Sequence, residues 1–241
     1  MFFLILAAVL LPSGFSASLT TCDGLTQQVQ IQGRDQFLGV WTYAAESTNM
    51  PGSKLLTKMF VENVWGKIYP ANESDSFFVF QVQKMLGRCF TVTSKLTLVN
   101  NALHMDHPIH ATEVLVATSC SDCLVLLSNF TLGESTYKGL QLLSKTKNSL
   151  LQGKRPKLTQ AEMEEFKRQA ACLDLPPPTI LNSGKDFCPD ESSPKDSETT
   201  DLTSVLSQAD PEYMKLLDKM LSSRAGLKTL VDIIARNHTL N

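Results

Sequence analysis

The stretch Leu38–Glu46, with the sequence LGVWTYAAE, decides the fold of this chain. Its Gly39-Val40-Trp41 motif opens an alternating, strand-like segment soon after the first cysteine, Cys22. In a small closed barrel, a Trp at this point can plug the base, and a Gly lets the crossing backbone approach closely. The Gly-x-Trp motif is weak alone, so its meaning depends on the segments that follow it.

Alternation and turn residues predict further strands that bring the count to eight. These strands are Leu55–Tyr69, Ser76–Met85, Gly87–Val99, Ala102–Asp106, Ala111–Ser119, Leu124–Phe130 and Tyr137–Ser144. A helix follows them, with a capping box formed by Thr159 and Glu162 and a stop at Pro176–Pro178. The order predicts a mainly β fold, an eight-stranded antiparallel up-and-down barrel with one α-helix packed outside. Small barrels of this kind hold one ligand.

The helix and the regions beyond it divide by composition. Phe166 and Ala170 belong to an apolar stripe of the helix, whereas its charged residues, Glu165 among them, are expected to lie largely elsewhere. The barrel domain is assigned to 19–191, and the Ser-, Pro- and acid-rich residues 192–209 predict a flexible linker. Residues 210–241 predict an amphipathic helical tail that Gly226 bends or splits. This tail either packs on its own barrel or binds a lipid surface or a partner protein.

The N-terminus and the cysteines indicate the compartment. Residues 1–18 contain an uncharged apolar run followed by small residues, which predicts a signal peptide, either cleaved or retained as an anchor. No later window reaches the roughly 18 apolar residues of a membrane-spanning helix. Six cysteines fit an oxidising compartment, so we expect a secreted, extracellular glycoprotein. Its possible glycan acceptors are Asn72, Asn129 and Asn237.

Composition and motifs argue against several functions. The net charge is only -2, and no basic stripe with interleaved aromatic residues suggests nucleic-acid binding. We find no hydrolase or nucleotide-binding motif and expect a monomer that is not an enzyme and has no cofactor and no metal. His104, His107 and His110, with Asp106 among them, are interpreted as a solvated loop rather than a metal or pH-responsive site.

The cysteine pattern leaves alternatives open. Alternation turns Phe90 and Val92 inward and Cys89 outward, where Cys89 can be bridged to a segment on the barrel wall. Cys120-Ser121-Asp122-Cys123 is followed at once by a strand, which favours a hairpin disulfide over a zinc site or a redox pair.

The assembled pattern resembles the lipocalins, in particular the branch of alpha-1-acid glycoprotein (orosomucoid) and apolipoprotein M. The resemblance rests on Gly39-Val40-Trp41, the eight strands, the segment Thr159–Phe166 and the cysteines after it, and it covers Cys22 to Glu191. It implies the disulfides Cys22–Cys172 and Cys89–Cys188, which leave Cys120 and Cys123 for each other. It also implies plasma transport of lipids, steroids, drugs or toxins, modulation of immune responses, and lipoprotein particles or a receptor as partners.

The inward residues are the candidate ligand site, although each could equally be plain core. They are Tyr43, Val79, Gln81, Phe90, Val92, Leu115 or its neighbour Val116, Leu126, Gln141 and Leu143. The resemblance implies an acidic residue where Gln81 stands and a Tyr where Leu143 stands, which weakens the expectation of basic ligands. We predict a secreted carrier of a small hydrophobic molecule. The alternatives are an interaction module that works through the tail, and a lipocalin-type isomerase, which would need a free inward thiol.

Overall fold

The computed structural model describes residues 21–107, 109–146, 158–181, 187–189 and 199–239. The predicted signal peptide 1–18 lies outside the described residues, and so do positions 192–198 of the predicted linker. The strands are β1 Gly39–Thr48, β2 Val61–Pro70, β3 Ser76–Met85, β4 Arg88–Val99, β5 Ala102–Met105, β6 His110–Val116, β7 Cys123–Leu132, β8 Ser135–Lys145, β9 Thr179–Ile180 and β10 Thr199–Asp201. The helices are α1 Cys22–Leu25, α2 Ser53–Phe60, α3 Gln160–Cys172, α4 Thr203–Ser207, α5 Pro211–Ser222 and α6 Arg224–Thr239, with a 3-10 turn at Arg34–Gln36.

Strands β1 to β8 form a closed antiparallel barrel, as predicted. Each strand pairs with the next along the chain, and β8 closes the barrel by pairing with β1. One prediction was wrong: Leu55–Phe60 is not the start of a strand but the body of α2. The apolar pairs Leu55-Leu56 and Met59-Phe60 suit a helix as well as a strand, because hydrophobic periodicity does not distinguish the two in short apolar runs.

The register gives the barrel a base and a mouth. The chain segment before β1 crosses the base, where Gln28 bridges to Val116 and the Ile31 amide donates to Asn101 at 2.6 Å. The β1–β2, β3–β4, β5–β6 and β7–β8 connections all lie at the opposite end, which is the mouth.

Helix α3 packs on the outside of the barrel and begins with the predicted capping box. Phe166 and Ala170 are buried against Val116, Val125 and Leu142. The expectation for Glu165 was wrong, because this residue is buried and not solvated. Its carboxylate accepts a 2.8 Å hydrogen bond from the Ser119 amide and another from the Ser119 hydroxyl, which satisfies the buried charge.

All six cysteines are paired. The disulfides are Cys22–Cys172, Cys89–Cys188 and Cys120–Cys123. The first ties the N-terminal segment to α3, and the second holds Cys188 against the outer wall beside Trp65 and Val82. The Cys120 and Cys123 sulfurs are bonded to each other, so neither is a free thiol for zinc or redox chemistry.

The described residues after the barrel include a short strand and three helices. Residues 199–207, inside the predicted linker, form β10 and α4, which the sequence did not predict. The tail is split at Ser223, whose backbone is extended, and not at Gly226. Gly226 instead allows close packing, because a Cβ there would lie 2.5 Å from the Met220 Cα. Among the described helices, none has the length and apolarity needed to cross a membrane.

Candidate ligand cavity

A cavity of about 400 Å³ lies inside the barrel. This volume is within the range of small-molecule sites, roughly 300–1,000 Å³. Its walls are mainly apolar and come from all around the barrel, including Phe37, Ile68, Phe77, Val79, Val92, Leu96, Leu103, Met105, Leu126, Phe130 and Leu143. The cavity therefore combines a size and a surface suited to an apolar guest.

Seven residues of the predicted ligand set line this cavity. They are Tyr43, Val79, Gln81, Val92, Leu126, Gln141 and Leu143. Leu115 is buried in the same interior cluster without lining the cavity. Phe90 lies on the inward face of β4 near the mouth but is not part of the lining. Val116 is excluded from the interior, since it packs outside the barrel against α3.

The base of the cavity is sealed by aromatic side chains. Trp41 is 2% exposed, and its indole nitrogen donates a 2.6 Å hydrogen bond to the Phe37 carbonyl. Phe37 stacks on Phe77 at 5.3 Å between ring centroids. Gly39 has a φ of +116°, which strongly favours glycine, so both Gly39 and Trp41 have structural reasons to be at the base.

Two carboxyl groups reach the cavity, and sequence reasoning missed both. Glu113 and Glu46 belong to the lining, and no Lys, Arg or His does among the described residues. Burial raises the pKa of Glu113 to about 7, and no described residue donates a hydrogen bond to its carboxyl. Burial also raises the pKa of Glu46, although a 2.6 Å hydrogen bond from the Thr57 hydroxyl acts against this.

Tyr43 lies close enough to Glu113 to respond to its charge. The pKa of the Tyr43 hydroxyl is raised, first by burial and then by the negative charge of Glu113. The cavity thus offers a phenol, two carboxyls and the amides of Gln81 and Gln141 as polar groups within an apolar wall.

A β-bulge and a strand register place the two carboxyls. In β1, Tyr43 pairs with Leu143 and Ala45 with Leu142, so Ala44 is extra and the alternation shifts. Glu46 consequently pairs with Gln141 and faces inward. In β6, the inward direction of Leu115 implies the same for Glu113 by alternation. The sequence did not settle Leu115 against Val116, and Glu113 was missed for that reason.

The chain after the barrel also contributes to the cavity. We call residues 199–207, which comprise β10, Leu202 and α4, the strap. Leu206 of the strap is part of the cavity lining. Helices α5 and α6, the tail helices, pack at the mouth against Leu132 and Tyr137 through Leu217, Leu221, Leu227 and Leu230. Part of the apolar face that suggested lipid or partner binding therefore contacts the protein's own barrel, whereas Tyr213, Leu216 and Ile233 are exposed.

The remaining candidate positions lie on the surface. His104, His107 and His110 are exposed, and the His110 ring nitrogen is 3.6 Å from Asp106. Asn72 and Asn129 are also exposed, whereas the side chain of Asn237 lies outside the described residues. Exposure at Asn72 and Asn129 leaves room for a glycan.

Comparison with known proteins supports the fold and goes no further. No protein-family model matches the chain, and no curated protein does. A solved structure described as the siderocalin Ex-FABP, which "functions through dual ligand specificities", superposes with a TM-score of 0.52 at 13% identity, covering 61% of this chain and 95% of that one. The bovine lipocalin allergen Bos d 2 gives a TM-score of 0.49 at 16% identity, covering 65% and 98%. The closed eight-stranded barrel, with its similarity to the Ex-FABP structure, is the lipocalin fold.

Proposed function

We propose that this protein is a secreted carrier that binds one small, largely apolar molecule inside its barrel. The observation that carries the proposal is the cavity of about 400 Å³ with apolar walls. Burial of apolar ligand surface supplies about 25 cal/mol per Å² before the costs of association are subtracted. A cavity of this size is therefore sufficient for useful affinity without a covalent or metal bond.

The polar groups of the cavity would set the orientation of the guest. Gln81 and Gln141 offer both donors and acceptors, and Glu113 offers a carboxyl without a hydrogen-bond partner among the described residues. A guest with one donor group and an apolar body fits this arrangement. The carrier role needs no catalytic group, and the paired Cys89 does not supply the free thiol of a lipocalin-type isomerase.

Features that are typical of exported proteins support the same role. Three disulfides are typical of proteins that fold in an oxidising compartment, and the sequons at Asn72 and Asn129 are exposed. We propose that the protein acts outside the cell as a glycosylated monomer. Transport in plasma, modulation of immune responses, and lipoprotein or receptor partners stay predictions that rest on the resemblance to alpha-1-acid glycoprotein and apolipoprotein M.

The test is a fluorescence titration of the full-length secreted protein with N-phenyl-1-naphthylamine, an uncharged apolar probe. We expect saturable binding of one probe per protein. Val79→Trp places a larger side chain in the cavity and should weaken binding about tenfold or more, which corresponds to about 1.4 kcal/mol.

Phe78→Trp is the matched control, because Phe78 precedes Val79 on β3 and stacks outside on Tyr69 at 5.5 Å. This variant should bind as the wild type does. Val79→Phe is a milder cavity variant, to be used if circular dichroism shows that Val79→Trp is unfolded. Absence of saturable binding to the wild type, or equal loss in Val79→Phe and Phe78→Trp, would contradict the proposal.

A further inference from the structure

Leu206 connects the C-terminal region to the candidate ligand site. It is half-buried and lines the cavity together with residues of the barrel strands. Its neighbour Val205 is 62% exposed and does not line the cavity. One side chain of α4 therefore faces the cavity, whereas the adjacent one faces solvent.

The strap covers a gap in the barrel wall. β4 pairs with β5 only over Leu96–Val99, which leaves the half of β4 near the mouth without β5 beside it. The strap takes this edge: Thr199 pairs in parallel with Cys89 and Asp201 with Thr91. An unpaired strand edge exposes unsatisfied backbone groups. The strap covers this edge of β4 and pairs with its backbone.

Hydrogen bonds hold the strap more than burial does. The Leu202 amide donates to the Thr91 carbonyl at 2.9 Å, and the Thr93 amide donates to the Thr203 hydroxyl at 2.9 Å. Neither β10 nor α4 contains a fully buried residue. Segments with few buried apolar contacts and exposed backbone hydrogen bonds open locally at a low free energy.

Helix α5, which follows the strap in the chain, is docked on another side of the mouth. The Asp218 carboxylate of α5 accepts hydrogen bonds from the Ser135 hydroxyl, at 2.6 Å, and from the Tyr137 hydroxyl. Leu221 is 5% exposed and packs beside Leu132. The chain therefore runs from β4 to the β7–β8 hairpin, and Leu206 lies between these two anchors.

We infer that the strap is a movable wall of the ligand site, with Leu206 as its contact with the guest and α5 as the anchor that keeps it closed. This inference rests on the proposed carrier function. A guest would be released when the strap separates from β4 and would be held longer when α5 is docked. Leu206 then determines both the length of guest that fits and the rate at which it leaves.

Stopped-flow kinetics of N-phenyl-1-naphthylamine with the full-length protein test the contact. Leu206→Ala removes most of the side chain that faces the guest and should raise the dissociation rate about fivefold, the equivalent of about 1 kcal/mol. Val205→Ala is the matched control from the same turn of α4, and it should leave the rate unchanged.

The anchor has a different kinetic signature. Asp218→Ala removes the carboxylate to which the Ser135 and Tyr137 hydroxyls donate, so α5 should undock more often. Faster opening raises the association and dissociation rates together, by about threefold or more, and leaves the dissociation constant nearly unchanged. Glu212→Ala, an exposed acidic position on the same helix, is the control and should change neither rate.

The outcomes separate this inference from the carrier function. If the wild type does not bind the probe, the carrier proposal fails and the strap has no guest to hold. If the wild type binds but Leu206→Ala and Asp218→Ala exchange the probe as their controls do, the carrier proposal stands and the strap inference is wrong. A folded Asp218→Ala variant with wild-type rates would by itself exclude the anchor.

Discussion

The two ends of the barrel are closed in different ways. At the base, Trp41, Phe37 and Phe77 are each at most 2% exposed and pack with the crossing N-terminal segment into one core. At the mouth, the strap is held by hydrogen bonds along one strand and by the docking of α5 on the β7–β8 hairpin. The base is closed by buried aromatic side chains. At the mouth, the hydrogen bonds of the strap to β4 can be exchanged for water, whereas α5 docks through both hydrogen bonds and apolar contacts.

This difference indicates that the base stays closed and that a guest enters and leaves through the mouth. Removal of a buried aromatic residue leaves a void that the surrounding core cannot refill. Separation of the strap from β4 exposes mainly backbone groups, which water can satisfy. We therefore expect substitutions at the base to change global stability, and substitutions at the mouth to change local opening.

The largest expected effect is at the base. Trp41→Ala removes the indole that donates a hydrogen bond to the Phe37 carbonyl. The Lys145 ammonium lies over the same indole, 5.2 Å from the centroid of the Trp41 ring. We expect a loss of about 3–5 kcal/mol in the free energy of unfolding, measured by urea denaturation. Val99→Ala, at a position 43% exposed, should change this free energy by less than about 0.5 kcal/mol. Similar losses in both variants would contradict a sealed base.

The next largest effect is the pH dependence of stability that comes from Glu113, inside the barrel between its two ends. Because the pKa of Glu113 is raised to about 7 in the folded protein, the unfolded chain loses this proton first as the pH rises. Stability should fall between about pH 5 and 7 and then level off, by about 1–3 kcal/mol in all. Glu113→Gln should remove most of this decline in thermal unfolding measured from pH 5 to 8.

Glu164→Gln, at an exposed position on α3, is the control and should keep the wild-type pH profile. Glu46 contributes a decline of the same sign, since the pKa of this carboxyl is also raised. An unchanged profile in Glu113→Gln would show that burial in the cavity does not raise the pKa of Glu113.

The smallest effect on global stability is expected at the mouth. Leu221→Ala weakens the contact of α5 with Leu132 and Tyr137. Its cost cannot exceed the free energy of docking α5, so we expect a smaller loss in global unfolding than for either change above. Amide hydrogen exchange should quicken in α5 and the strap and stay unchanged in β1 to β8.

Leu216→Ala, at a position of α5 that is 54% exposed, should not alter the exchange of α5. If Leu221→Ala destabilised the barrel as much as Trp41→Ala, the two ends would be one cooperative unit and the contrast between them would be wrong.

The sequence predicted the parts of the fold that depend on local pattern. Alternation and turns located the barrel strands, and the capping box at Thr159 located α3 to within a residue. Inward parity also placed Tyr43, Val79, Gln81 and Leu126 in the cavity wall. These succeed because side-chain direction in a strand and the start of a helix are set by neighbours in the chain.

The parts that failed depend on packing between distant segments. Glu46 faces inward only because of a bulge at Ala44, which no alternation rule announces. Glu165 looks solvated in a helical pattern, but Ser119 provides its buried partner across 46 residues. The strap was interpreted as a flexible linker, since its composition gives no sign that the edge of β4 is unpaired there.

A crystal structure of the protein grown with N-phenyl-1-naphthylamine would show directly whether the barrel holds a guest. We expect one probe inside the barrel, in contact with Val79 and Leu126 and covered by Leu206. A probe bound on the outer surface, or an interior filled by the protein's own side chains, would contradict it.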